Sequence, residues 1–557
     1  MITIKEFNYS SSEMRVMSYW QYASNWPIVY IMHNDTDAYV GETLDGIRRT
    51  KQHLEEESDT EYKLICMMTD KNFNKSVALD MESFLIKYMG ADGKFRLHNG
   101  NAGIVDHNYF NRDVYRDEFK YTWTQLIERG LARHTIDEIE NLDLFKYSPY
   151  KSLTYEQEDA LITILRTIED NYNRAADNKL IVVNGEAGTG KTILAVYLMK
   201  ILKEISDGNF SIYQEEDEID RLELLNEFAN RIGRLKVGFV VPMQSLRESL
   251  KNVFDSIDGL SSSMILKPTD VVNDYYDLLV VDEAHRLHRR AYLPSANAYN
   301  KFSEINDKFG LDEDGTELDW IIKSSRMQLI FYDKEQSVRP SDIPRPHFKK
   351  LIADHVCKEI ELTSQLRCKG GNDYIDYVKA VLYEHPDIMR KSFGEYDVRL
   401  FDNPNDMIEA IKRKNDELGL CRTVAGYAWE WKSNPKKDRN AFDFTFGDKQ
   451  YRWNSESTDW INSKNSVNEI GCIHTVQGYD LNICGVIFGP EICYNSKLQT
   501  IMIDKSNYHD HLGRTGNVDE LKRYIQNIYV TLMTRGIKGT YIYACDSGLR
   551  EYLKKYF

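Results

Sequence analysis

The chain has 557 residues, 42% hydrophobic and 28% charged, with a formal net charge of −16. That length allows about three or four domains, each able to bury a core, and no apolar run approaches the ~18 residues that span a membrane. Overall acidity argues against broad phosphate binding, although a groove needs only a local basic lining.

In chain order, PIVYIM (27–32) and AYVGET (38–43) are predicted strands joined by the turn HNDTD. A helix follows over TLDGIRRTKQHLEEE, with Thr43 as candidate N-cap, then a third strand in EYKLICMMT. NKSVALDMESFLIKYM is a helix with Val77, Met81, Phe84, Leu85 and Tyr88 on one apolar face. GADGKFRLHNGNAG closes this small α+β unit as a loop. Residues 104–150 are polar and aromatic, with helix-like patches, and are expected to form a helical connector. From 151 onward LIVVNG, VGFVVP, DLLVVDE and MQLIFYD alternate with helical segments, the pattern of a parallel sheet covered on both faces. YDVRLF, CRTVAGYAW, NICGVIFG and GTYIYACD indicate a second α/β domain. The acidic stretch 214–228 is expected to be a solvated helical insertion. The domains are therefore placed at 1–103, 104–150, 151–354 and 355–557. The N-terminus shows no basic segment followed by an apolar one, so a cytoplasmic chain is expected. The eight cysteines form no C-x-x-C pair and are expected to be reduced core residues.

Within VYIMHNDTDAYVGETLDGIRRTKQH (29–53), Tyr30 and Tyr39 stand nine residues apart, followed by Gly41, Arg49 and His53. Arg49 and His53 are an i, i+4 pair, so a helix presents both to one phosphate. Two phenols, a guanidinium, an imidazole and a more distant carboxylate suit phosphodiester hydrolysis, which needs an activated water, positive charge on the phosphate and a divalent metal. The bland alternative is a small α+β domain with edge tyrosines and a solvated Arg/His helix face. The segment resembles the GIY-YIG endonuclease family over about 26–103, with IVY and YVG as its two signatures. The resemblance implies that Tyr30 assists deprotonation of the nucleophile with His53 as its candidate helper, and that Tyr39 positions water or phosphate. It further implies that Arg49 stabilises the transition state, that Glu82 is the one protein ligand to Mg²⁺, and that an asparagine closes the site. Asn99 fits best for that last role, with Asn101 the rival.

GEAGTGKT, running Gly185, Glu186, Ala187, Gly188, Thr189, Gly190, Lys191, Thr192, fits G-x-x-x-x-G-K-[ST] between the strand KLIVVN and the helix TILAVYLMKIL. Backbone N–H groups and the helix N-terminus would hold the phosphates of ATP, Lys191 would neutralise the β- and γ-phosphates, and Thr192 would offer its hydroxyl to Mg²⁺. DLLVVDEAHR ends an apolar strand in Asp282, a Mg²⁺ ligand, and Glu283, placed to orient and deprotonate water. DEAH after a P-loop resembles motif II of superfamily 1 and 2 helicases. LTYEQEDAL resembles the Q motif, with Gln157 on adenine, and FYDKEQSVRP resembles motif III, with Asp333 and Gln336 near the γ-phosphate. LTSQLRCKG resembles motif IV with Arg367 as an arginine finger, IHTVQGYDLNICGVI motif V around Gln477 and Gly478, and YVTLMTRGIKGTYIY motif VI with Arg535 as a second finger. The set is most similar to the Schlafen-type helicase domain, in DEAHRL, ELDWI, LTSQLRC and AGYAWEW. Motif V carries QGYD, with Asp480, where QGxE is common, and motif VI lacks its usual alanine.

The expectation is thus an α/β chain: a small α+β nuclease-like domain followed by two RecA-like P-loop lobes, with Arg367 and Arg535 reaching ATP from the second. Its cofactors are ATP and Mg²⁺. Its partner is nucleic acid, DNA favoured over RNA, with no membrane and with a homo-oligomer or a defence-system partner left open. The rivals are an ATP-driven clamp that does not unwind, and a binding scaffold with an inactive nuclease domain.

Overall fold

The computed structural model describes residues 1–55, 61–99, 109–150, 153–172, 179–208, 219–334, 336, 339–353, 355–385, 387–434, 437–456, 459–476, 478–514 and 517–557. They fall into two compact units. The first joins Met1–Glu158 to Val196–Arg234 and Leu250–Ser263, and the second takes Asp159–Ala195, Leu235–Ser249 and Met264–Phe557.

The first unit carries strands β1 (Thr3–Asn8), β2 (Ile28–His33), β3 (Asp37–Thr43), β4 (Leu64–Thr69) and β5 (Arg96–Leu97), in the order β1-β4-β2-β3-β5. The short α1 (Met14–Met17), then α2 (Gly46–Glu55) and α3 (Lys75–Asp92), complete the small domain. All six residues of β2 are buried. Two strands escape the sequence pattern. β1 is an edge strand in which only Phe7 is buried, so it has no alternation to read. β5 lies in what was expected to be a loop, held parallel to β3 by bonds from Arg96 N to Thr36 O and His98 N to Ala38 O. Helix α2 does not start at Thr43, which stays in β3; Asp45 Oδ1 accepts Arg48 N at 2.9 Å and supplies the cap.

Helix α3 is capped by Asn74, whose Oδ1 accepts Val77 N at 3.1 Å, and ends at Gly93, φ +68°. Val77, Met81 and Leu85 are fully buried. Phe84 and Tyr88 meet the connector, which is three helices: α4 (Arg112–Glu128), α5 (Ile136–Asn141) and α6 (Asp143–Lys146). Phe84 packs on Phe119 and Tyr88 on Phe145, with ring centroids 5.6 and 5.3 Å apart, and Tyr88 donates to Glu140 at 2.8 Å. The connector therefore folds back on the helix that carries Glu82 and is no extended rod.

Helices α7 (Tyr155–Tyr172), α8 (Lys191–Asp207), α9 (Ile219–Ile232) and α10 (Gln244–Ser256) accompany the next part of the chain. Strands β6 (Leu180–Gly185), β7 (Val237–Val240), β8 (Ile265–Leu266), β9 (Tyr276–Val281), β10 (Ser325–Tyr332) and β11 (Val356–Leu362) build a six-stranded parallel sheet ordered β11-β6-β10-β9-β7-β8. Helices α11 (Ala296–Phe309), α12 (Glu317–Lys323) and α13 (Arg345–Ile352) belong to the same lobe. Its core gathers Val182, Leu279, Val281 and Ile330 with Phe302 and Trp320. Because β11 pairs with β6, this sheet extends to Leu362, past the expected lobe boundary at 354. The mixed polarity of VCKEIEL on an edge strand hides that membership from the sequence.

Helix α14 (Gly371–Leu382) leads into the last sheet, β12 (Asp397–Leu400), β13 (Arg422–Ala425), β16 (Ile470–Cys472), β17 (Leu481–Phe488) and β20 (Gly536–Ala544), ordered β12-β20-β17-β13-β16 and parallel throughout. Hairpins β14–β15 (Phe444–Phe446, Lys449–Tyr451) and β18–β19 (Ile492–Asn495, Thr500–Ile503) are additions to it, beside α15 (Pro404–Leu418), α16 (Ile473–Val476), α17 (Val518–Met533) and α18 (Ser547–Leu553). All eight cysteines are free. Of the acidic insertion, 219–228 lies in α9; residues 214–218, like Asn101 and Gln477, lie outside the described residues. Among the described residues no helix is long and apolar enough to cross a membrane.

Candidate nucleotide and phosphodiester sites

In the six-stranded sheet β10 lies between β6 and β9, with Tyr332 opposite Asn184 and Ile330 opposite Val281. Three strand ends therefore stand side by side at the carboxyl edge of a parallel sheet, where ligands bind in such folds. One leads into Gly185–Thr192, the next into Asp333 and Gln336, the third into Asp282 and Glu283. Gly188 and Gly190 take φ of +85° and +79°, the left-handed turns that glycine accepts and that a phosphate-cradling loop needs before α8. Lys191 Nζ donates to the carbonyls of Gly185 at 2.6 Å and Glu186 at 2.8 Å, and lies 3.7 Å from Asp333 Oδ2. Thr189 Oγ1 donates to Glu186 O at 3.0 Å, and Thr192 Oγ1 donates to Asp282 Oδ2 at 2.7 Å.

Asp282 is wholly buried and Glu283 nearly so, with Glu283 in the left-handed region at φ +51°. Burial and the adjacent Glu283 charge push the Asp282 carboxyl up. Burial also opposes ionisation of Glu283, but His285, with Nε2 2.9 Å from Glu283 Oε2, holds it low together with Lys191 and Arg535. Glu283 is thus kept as a carboxylate, the form that can accept a proton from water. The hydroxyl of Thr192 and the buried oxygens of Asp282 are the hard-oxygen set that suits magnesium. A magnesium ion held there would neutralise phosphate charge.

Arg535, 2% exposed, donates to Tyr479 O at 3.2 Å and reaches to 3.5 Å from Gln336 Oε1, while Gln336 Nε2 donates to Asp333 Oδ2 at 2.7 Å. Arg367 was expected to cross from the second lobe. It instead follows β11, so it comes to the P-loop from the first sheet, and its guanidinium pairs with Asp480. A cavity of about 200 Å³ opens beside the loop, lined by Gly185, Glu186, Asp333, Lys334, Leu362 and Thr363 among others. Gln157, expected on adenine, forms a capping pair at the head of α7: Thr154 N donates to its Oε1 at 3.1 Å, and its own N donates to Thr154 Oγ1 at 3.3 Å.

The tyrosine site lies in the first unit. Tyr30, on β2, is 2% exposed. Its hydroxyl is 2.9 Å from His53 Nε2 and accepts Arg49 Nε at 3.3 Å, so the i, i+4 pair of α2 converges on this phenol. The Tyr39 ring is 5.5 Å from the His53 ring and 6.3 Å from that of Tyr30. Gly41 stands opposite Tyr30 in the β2–β3 register, and a Cβ there would run into the phenol. Burial, with the Tyr39 phenol next, raises the Tyr30 pKa well above its ordinary value, Arg49 draws it down, and the Glu82 charge adds to the rise. The phenol therefore favours its protonated form, with His53 Nε2 at hydrogen-bond distance as a proton partner and Arg49 supplying compensating charge. Glu82 reaches the site from α3 and is 3% exposed. A single carboxylate with a water-completed shell suits magnesium; among the described residues no cluster of three or more His, Cys, Asp or Glu is arranged for a metal. Asn99 donates to Val40 O at 2.7 Å and accepts Val40 N at 3.0 Å, so both ends of its amide serve as a strand mimic beside Tyr39.

The family model described as Schlafen group 3, DNA/RNA helicase domain, matches residues 178–546, about two thirds of the chain. The chain belongs to this family. It is also 24% identical over 445 residues to an uncharacterized Saccharomyces cerevisiae protein, YPL245W, covering 72% of this chain and 90% of the yeast one. Among solved structures, the Pif1 helicase of Candida albicans is similar at 12% identity and a TM-score of 0.29, over 70% of this chain and 94% of that one. A DEAD box protein from Methanococcus jannaschii aligns at 12% identity and a TM-score of 0.21, over 73% and 95%.

In this Schlafen helicase domain four site residues went unread in the sequence. Gln365 Nε2 donates to Ala187 O at 2.7 Å, and its oxygen lies where a side chain on Gly188 would be. Leu366 N donates to Gly188 O at 2.8 Å. Lys379 forms an ion pair with Glu186, and His285 holds Glu283. The first two lie inside LTSQLR, where only the arginine signals chemistry. Lys379 is an ordinary helix lysine in sequence.

Proposed function

We propose that this chain is an ATP-hydrolysing motor that moves on nucleic acid and carries a Mg²⁺-dependent GIY-YIG-like endonuclease. The motor half rests above all on the convergence of Lys191, Thr192, Asp282, Glu283 and Arg535 at three adjacent strand ends. ATP phosphates sit on the Gly185–Thr192 amides, displacing Lys191 from the loop carbonyls it now bonds. Glu283 accepts a proton from the attacking water, and Arg535 and Arg367 meet the charge that develops as the β–γ bond breaks. The helicase-type family membership supports nucleic acid as the track; DNA is the preferred substrate in this proposal.

The nuclease half rests on Tyr30, Arg49 and His53 meeting at one hydroxyl, with Glu82 behind it. Water attacks phosphorus, its proton passes to the Tyr30–His53 pair, Arg49 stabilises the pentacovalent phosphate, and the P–O bond to the leaving oxygen breaks. We assign the nuclease to 1–103, the connector to 104–150 and the two RecA-like lobes to the remainder, and we take defence against foreign DNA as the biological setting. The test is an ATPase assay with and without nucleic acid alongside a Mg²⁺-dependent nicking assay on plasmid. Stimulated turnover and nicking are expected, each lost on chelation of Mg²⁺. An enzyme with neither activity would refute the proposal.

A further inference from the structure

We propose that Tyr292, with Arg289, Arg345, Lys349 and Lys350, forms a seat for single-stranded nucleic acid; the proposal rests on the motor assignment above and locates part of its track. In a chain of net charge −16, residues 286–301 hold Arg286, Arg289, Arg290 and Lys301 and no Asp or Glu, and residues 343–353 hold Arg345, Lys349 and Lys350 and no Asp or Glu. The fold pairs these two segments. Ile343 N donates to Leu287 O at 2.9 Å, Arg289 N donates to Ser341 O at 3.0 Å, and the Arg289 guanidinium donates to Pro340 O at 3.1 and 2.9 Å.

Tyr292 stands on the loop between Arg289 and α11 at φ +55° and is 41% exposed, with its ring 5.9 Å from the Arg289 guanidinium. A bulky residue held in the left-handed region is strained, and such strain gathers at ligand-binding loops. Leu293 N donates to Tyr299 Oη at 3.3 Å, which ties the loop to α11. Arg345 and Lys349 lie one turn apart on α13, and with Lys350 they are exposed and form no ion pair among the described residues. Arg290 is taken up by Glu313, 3.5 Å away in the acidic run 312–314, which repels phosphate, so the unpaired cations of α13 are the ones left to meet it. An exposed aromatic face stacks on any base, and the free cations neutralise successive phosphates. Tyr292 is nine residues from Glu283, and the intervening Arg286 is buried against Asp342 at 2.9 Å. A strand seated on Tyr292 would therefore pull on the same short segment that sets Glu283.

The test uses the full chain and measures binding of fluorescent single-stranded DNA and RNA of about 20 nucleotides, a length that exceeds one stacking site. Tyr292→Ala is expected to raise Kd about tenfold on every sequence, while Tyr292→Phe stays within about twofold of wild type. Arg345→Ala/Lys349→Ala is expected to flatten the salt dependence by roughly 1.4 in log–log slope, at ~0.7 per phosphate on single strands. Melting temperature and binding of a fluorescent ATP analogue check the fold; if Tyr292→Ala fails that check, Tyr292→Gly, which accepts the backbone conformation, replaces it. A wild type that binds nucleic acid and is stimulated by it, with variants that bind equally well and keep the slope, overturns the seat and leaves the motor standing. A wild type that neither binds nor responds to nucleic acid overturns the motor assignment and the seat together. Stronger loss on DNA than on RNA, or the reverse, names the preferred strand.

Discussion

The hydroxyl of Thr192 donates to Asp282 Oδ2 across 2.7 Å, joining the first turn after the phosphate loop to a strand end 90 residues later. The buried carboxylate pair Asp282–Glu283 is tolerable only with positive charge near it, and His285, with Lys191 and Arg535, holds Glu283 ionised. Lys191→Ala should therefore abolish ATP hydrolysis. Glu283→Gln should bind ATP with little change and turn it over roughly 10²–10³-fold more slowly, the usual cost of losing one transition-state partner. Steady-state ATPase with a parallel nucleotide-binding titration measures both; near-normal turnover by Glu283→Gln would remove Glu283 as the base.

Gly41 faces the Tyr30 phenol directly, and an added methyl has no room there. Gly41→Ala should displace the hydroxyl from His53 and Arg49 and cost at least ~10²-fold in nicking, since small misplacements of reacting groups cost that much. Glu82→Ala should eliminate Mg²⁺-dependent cleavage outright. ATPase should survive in both. Nicking by Glu82→Ala at the wild-type rate would place the metal elsewhere.

Much of this architecture was legible in residues whose chemistry is local. The P-loop glycines, the apolar strands ending in Asp282–Glu283 and the Tyr30, Arg49, His53 spacing each announce themselves. Partnerships made across the chain did not. Asp480 looked like a departure from a motif, yet it pairs with Arg367; Lys379 has no sequence signal and reaches Glu186 only because α14 packs beside the loop. Strand β11 was hidden because an edge strand needs no apolar run. Asn99 was implied by the family resemblance, with Asn101 its rival; its amide pairs with the Val40 backbone, which no sequence pattern reveals.

The Arg367–Asp480 pair leads to a third expectation. Both side chains are partly exposed, at 17% and 21%, so the pair contributes little stability but fixes where the guanidinium points. Asp480→Asn should lower kcat for ATP about ten- to a hundredfold while leaving KM within about twofold. A fall in affinity with kcat unchanged would show that Arg367 holds ground-state nucleotide instead.

Glu491, 1% exposed, accepts a hydrogen bond from Tyr529, and burial pushes its carboxyl from 4.5 up to about 7. The folded chain thus binds a proton that the unfolded chain releases. Its contribution to stability is complete below pH 4.5 and is lost as pH rises through about 7, a change on the order of 3 kcal/mol. Wild type should melt lower at about pH 8 than at about pH 5, and Glu491→Gln should narrow that difference. Identical pH profiles for the two would show that Glu491 is ionised in the fold.

Motor and nuclease are expected to act on one strand. Within the first unit His98, one residue past β5, lies 3.4 Å from Asp258, which also pairs with Arg96; Asp258 stands two residues past α10. Carried on one chain, a nuclease would meet a strand gripped by the motor at an effective concentration in the roughly millimolar range. The most direct measurement follows product lengths over time on long DNA and RNA with Mg²⁺, with and without ATP, for wild type and Lys191→Ala. Wild type should cut in both conditions, with ATP shifting the distribution toward successive shorter products, and Lys191→Ala should give the ATP-free pattern throughout. Identical distributions with and without ATP in the wild type would contradict a motor that feeds its own nuclease.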